Sequence, residues 1–126
     1  MADSLLASFA NTLNADADLL RTREDAAAWL HTAGLLPADA GLTTSEHAAL
    51  LRLRDSLRDV RAAHSRGRPD AEAAARLTKA LADGRLVLTV EPTGKVRLAT
   101  AARASYPSIV VGIAIAISDA AAAGTW

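Results

Sequence analysis

The chain has 126 residues, a length that suits one domain with one core. Lys plus Arg and Asp plus Glu each number 14, so the net charge is zero, and there is no cysteine. Zero net charge removes the field that would draw the domain onto nucleic acid or an anionic membrane, and the lack of cysteine excludes disulfides, thiolate zinc sites and a cysteine nucleophile within these residues.

Residues 3–13 read as a first helix, capped by Asp3 or Ser4, with Leu5, Leu6, Phe9, Ala10 and Leu13 on one stripe. The opening MADSLLASFANTL has neither the basic segment nor the long apolar run of a signal peptide. NADADLLRTRE is polar and irregular around Leu19 and Leu20. Thr22, with Asp25 three places on, forms a relaxed capping box for DAAAWLHTA; Gly34 stops that helix and Pro37 prevents its resumption. The third helix, capped by Thr44 or Ser45 and ended by Gly67, buries Ala49, Leu50, Leu53, Leu57 and Val60. Its other faces carry Arg52, Arg54, Arg58 and Arg61, with Asp55 and Asp59 spaced to pair with them along the helix. A fourth helix starts at Pro69-Asp70 and ends at Gly84, with Ala73, Leu77, Ala80 and Leu81 inward.

The period then changes to two. RLVLTV, EPTG and KVRLAT predict a β-hairpin near residues 86–100, with Leu86, Leu88 and Val90 on one face and Val96 and Leu98 on the partner. Ser105 and Pro107 open a last helix, PSIVVGIAIAISDAAAAG, although alternating Ile and Val also suit a buried strand. Apolar all round, it belongs in the centre or in an interface, and Gly112 and Ala116 would let a neighbouring backbone approach. The apolar run at 109–117 is well below the roughly 20 residues needed to span a bilayer. The fold class is α+β, predominantly helical, with about five helices and one hairpin in a single domain over 1–126. It has no βαβ unit. A soluble, cytoplasmic chain with no membrane partner is expected.

Catalytic signals are sparse. His31, His47 and His64 lie on separate segments and are expected to be solvated or capping rather than metal ligands or acid–base groups. No nucleophile elbow, phosphate-binding loop, dinucleotide fingerprint or zinc-protease helix is present. The arginines of the third helix could touch phosphates. The interleaved aspartates and the scarcity of aromatics favour a solvated or salt-bridged face instead. Asn11 and Thr12 end an apolar helix, where they suit an unwinding turn. The functional alternative places Asn11 in a small pocket beside Phe9 and Trp29, apolar walls with a few polar groups.

The order SFANTL, DLL…RTREDAAAWLHTAGLLP, LTTSEHAALLRLRDSLRDVRAAHSRGRP, hairpin and AAAAGTW resembles the N-terminal ABATE domain of the CGNR zinc-finger proteins, which are bacterial stress-induced transcription regulators common in actinobacteria. The resemblance spans nearly the whole chain. It implies a non-enzymatic regulatory domain that senses a small-molecule ligand, assembles a homodimer, or does both. The alternative is a stand-alone small stress protein or an enzyme of unknown reaction. In the family a zinc-binding module follows, so zinc and DNA contact are expected only from that module, which this cysteine-free chain lacks; no catalytic, metal or DNA-binding residue and no cofactor is expected here. Phe9, Asn11, Thr12 and Trp29 match the family's opening motif and second-helix tryptophan and are the candidate ligand-binding residues. The final AAAAGTW reads as a junction, with Trp126 partly exposed or packed on a neighbour.

Overall fold

The computed structural model of the chain describes residues 4–84, 86–100 and 106–126. It is predominantly helical: α1 (Leu5–Ala10), α2 (Arg23–Thr32), α3 (Thr44–Ser65) and α4 (Ala71–Leu81) precede two five-residue strands, β1 (Leu86–Val90) and β2 (Val96–Thr100), and α5 (Tyr106–Ala123) closes the order. The strands pair antiparallel with Leu86 opposite Thr100 and Val90 opposite Val96. Asp3 and Ser105, offered above as helix starts, lie outside the described residues, as do the side chains of 86–89 and 97–100, which carry most of the alternation in the strands.

Helix α3 is the longest element, and its neighbours are arranged around it. Leu50, Leu53, Leu57 and Val60 face the core with Leu6, Phe9, Leu20, Leu30, Leu77, Ile109 and Ile113. These side chains are aliphatic apart from Phe9, as the composition requires. A fully buried leucine or isoleucine contributes about 1.5–3 kcal/mol through removal of its apolar surface from water.

The ends of the elements correct several sequence expectations. Thr43, not Thr44 or Ser45, caps α3: its hydroxyl accepts from Glu46 N–H at 3.1 Å while Glu46 Oε1 accepts from Thr43 N–H at 2.8 Å. The capping-box spacing of three residues selects Thr43 once Glu46 is fixed as the third helical position. Pro69 lies outside α4, because Asp70 is the cap and accepts from Ala73 N–H at 3.0 Å. Thr22 caps α2. That helix ends before Gly34, whose φ of 76° lets Leu35 N–H return to the Leu30 carbonyl at 3.0 Å.

Helix α1 is shorter than its apolar stripe predicts. It stops at Ala10, and Leu13 leaves the helix to form an isolated bridge with Asp18. Helix α5 is long and apolar enough to cross a membrane by length and composition. Only its first half is deeply buried, through Tyr106, Ile109, Val110, Val111 and Ile113. At Gly112 the close neighbour is a side chain rather than a backbone: a Cβ there would come within 2.7 Å of Leu35 Cδ2. Among the described residues, Leu19, Val90 and Val96 are the large apolar side chains left exposed.

Candidate functional site

Between α1 and α2 the chain runs as a strap across α3, and three side chains of α3 hold it there. Arg54, only 3% exposed, grips Asp18 with two parallel bonds, Nη1 to Oδ1 at 2.6 Å and Nη2 to Oδ2 at 3.2 Å. Its Nε donates to Asp55 at 3.1 Å. One turn on, Arg58 Nη1 donates to the carbonyls of Ala10 and Leu13 at 2.5 and 2.6 Å. The Ala10 carbonyl is one that the end of α1 leaves without a helical partner, and the Leu13 carbonyl lies on the strap itself. Two turns before Arg54 on the same helix, His47 Nε2 donates to the Leu20 carbonyl at 2.8 Å. Asp18 also organises its own loop by accepting from Leu20 N–H at 2.9 Å. The Arg54 guanidinium holds the Asp18 carboxyl below the usual carboxylate range, with the Leu20 N–H and positive charge at His47 adding to the effect and burial opposing it.

The solvated or salt-bridged face that the spacing suggests holds only in part: Arg52 is exposed and Arg54 pairs with Asp55 within α3. Arg54 and Arg58 are turned inward onto the strap, and Asp59 pairs between helices with Arg76 of α4 at 3.3 Å. The histidines also do more than the sequence implies. His31 Nε2 donates to the Ala40 carbonyl at 2.7 Å, closing the α2–α3 connection as His47 closes the strap. His64 meets Trp126 edge to face, with ring centroids 5.3 Å apart, and Trp126 is partly buried there. Among the described residues no group of three or more His, Cys, Asp or Glu is placed to hold a metal ion.

The four candidate ligand residues separate into two places. Phe9 is fully buried and packs on the half-buried Trp29, with ring centroids 5.7 Å apart and the planes tilted by 36°. Thr12 is buried too; its hydroxyl donates to the Phe9 carbonyl at 2.7 Å, and its own carbonyl accepts from Leu19 N–H at 2.8 Å. These three belong to the core and the turn. Asn11 stands apart as the exposed C-terminal cap of α1. The cleft it lines is not beside Phe9 and Trp29: it lies between α1 and α3, has a volume of about 340 Å³, and includes Arg58 and Arg61. Sequence reasoning did not bring these arginines to Asn11, since 47 residues separate Asn11 from Arg58. The positions Arg54, Arg58 and Arg61, spaced by four and three, were the available signal for one shared helix face.

Two other depressions exist. One, of about 690 Å³, lies between α3 and α4 with Arg52, Arg76 and Lys79 facing Asp55, Asp59 and Asp83. Near it the Tyr106 hydroxyl is buried with no hydrogen-bond partner among the described residues, and burial, reinforced by Asp83, pushes its ionisation up. The other, of about 610 Å³, is a largely apolar groove between Leu35–Pro37 and α5.

Against known families, one sequence model matches residues 3–124, all but the first two and last two positions. The chain belongs to the ABATE family. That family is described as "Putative stress-induced transcription regulator". No curated protein and no solved structure matches the chain. The ABATE match thus covers every described helix, the strap and the Asn11 cleft together.

Proposed function

We propose that this ABATE chain is the regulatory domain of a bacterial stress-responsive transcription regulator, acting in the cytoplasm without catalysing a reaction. It senses a small molecule and works as a homodimer. The family description supports the regulatory role. The observation that carries the sensing role is the strap, which joins the Asn11 cleft to the centre of the fold through Arg54 and Arg58. A ligand held at one end of such an element biases the position of the rest only by its differential contacts with two states. The half-covered second part of α5 supports self-association. In this reading DNA is contacted by a zinc-binding module outside these residues, not by α3, two of whose arginines are committed to the strap.

Thermal shift against a metabolite library, with sedimentation velocity on the same samples, tests this reading. The expected result is a dimer whose Tm rises with at least one compound. A chain that stays monomeric and that no compound stabilises overturns it.

A further inference from the structure

The cleft between α1 and α3 has the chemistry of an anion site. Arg58 and Arg61 supply its charge, Asn11 and Ser65 its neutral hydrogen-bonding groups, and Ala7 and Ala62 part of its apolar wall. Among the described residues no acidic side chain lines it. Arg58 is already partnered by two carbonyls, but Arg61 is not. Among the described residues its Nη1, which is shielded from solvent, has no hydrogen-bond partner, and no ion pair involves it.

A guanidinium nitrogen shielded from water and left without a partner is costly, because its lost hydration is not replaced. Side chains in that condition call for a partner from outside when the fold provides none. Guanidinium groups match carboxylate and phosphate oxygens with charge-assisted, directional bonds. The Asn11 side-chain amide makes no hydrogen bond of its own among the described residues and offers both a donor and an acceptor at the rim. At about 340 Å³ the space is at the small end of ligand pockets.

We infer that this cleft binds a small molecule through a carboxylate or phosphate oxyanion, with Arg61 as the principal charge partner and Arg58 and Asn11 beside it. The inference rests on the sensing role proposed above and assigns its site and ligand class. Arg58 couples that site to the strap, since the same side chain holds the Ala10 and Leu13 carbonyls.

The test is calorimetric titration at low ionic strength with sodium succinate, sodium phosphate and neutral succinamide. It uses the wild-type chain, Arg61→Met and Asn11→Ala. Succinate or phosphate should bind and succinamide should not; the tighter anion identifies the head group. Arg61→Met should weaken binding by about tenfold or more and Asn11→Ala by a smaller factor. The unliganded Arg61→Met chain should unfold at or above the wild-type Tm, because a shielded, unpartnered guanidinium nitrogen is gone. Anion binding that is unchanged in both variants overturns the site. So does an Arg61→Met chain that fails to fold or unfolds well below the wild type, since Arg61 is then structural. If both anions fail while neutral members of the metabolite library raise Tm, the site is overturned and the sensing role stands. If nothing binds in either experiment, both fall.

Discussion

Arg54 and Arg61 lie two helical turns apart on α3 and face the same side of the helix, yet their surroundings differ. Arg54 is buried with a matched carboxylate, and its guanidinium makes two bonds to Asp18 and one to Asp55. Among the described residues Arg61 is partly buried against a cleft with no acid in its lining, and one of its nitrogens is shielded without a partner. A buried charge with its partner fixes the position of a loop; one without a partner stores an unmet demand. The α3 arginines thus pass from structural at the Asp18 end to open at the Asn11 end. The strap between them carries both.

The comparison breaks most sharply at Asp18. Asp18→Asn keeps the oxygen that accepts from Leu20 N–H, so the local turn survives, but it leaves the Arg54 guanidinium nearly buried with only the exposed Asp55 for charge. The expected cost is about 3 kcal/mol. That corresponds to a Tm fall on the order of 10 °C for a chain of this size. Arg54→Met should cost less, about 1–2 kcal/mol, because the methionine fills the space and Asp18 retains water access. Urea unfolding of both variants and the double variant checks this: the double should resemble Arg54→Met, since Asp18→Asn does its damage only while the guanidinium is present. An Asp18→Asn chain as stable as the wild type would put Arg54 in the same class as Arg61.

The sequence made the helices legible because each carries a local signal. Thr22, Glu46 and Asp70 mark helix starts by the spacing of caps, and Leu50, Leu53, Leu57 and Val60 mark the inner face of α3 by their period. Cap errors were of one or two residues: at Thr43 the neighbours Thr44 and Ser45 are equally good caps, and at Asp70 the preceding Pro69 suits a first helical position. The length of α1 was not legible. Its apolar stripe runs to Leu13, but the termination depends on Thr12 bonding back to Phe9 and on Arg58 taking the Ala10 carbonyl. The second of these contacts spans 48 residues. The candidate site was legible in part for the same reason. Asn11 was recognisable as a polar residue at a helix end, whereas its arginine neighbours depend on how α1 crosses α3. Spacing alone placed Asp55 and Asp59 in pairs within α3; Asp55 does pair there with Arg54, whereas the proximity of α4 redirected Asp59 to Arg76.

Acid titration gives the smallest effect and the finest distinction between the two ends of the strap. The folded-state pKa of Asp18 is lowered, chiefly by the Arg54 hydrogen bond. The ordinary value for an unfolded aspartate is about 3.9. A carboxyl with a depressed folded pKa contributes stability that is fully present above the unfolded value and is lost as pH falls through the folded one. The stability gap between the wild type and Asp18→Asn should therefore hold steady from about pH 7 down to about pH 5 and narrow below about pH 4. The described residues around the Arg61 cleft include no carboxylate to titrate, so the difference between the wild type and Arg61→Met should not change over the same range. Urea midpoints for the three chains, measured from neutral pH to about pH 3, separate the cases. A gap at Asp18 that stays constant into acid would mean that its stabilisation does not come from the ionised carboxylate held against Arg54.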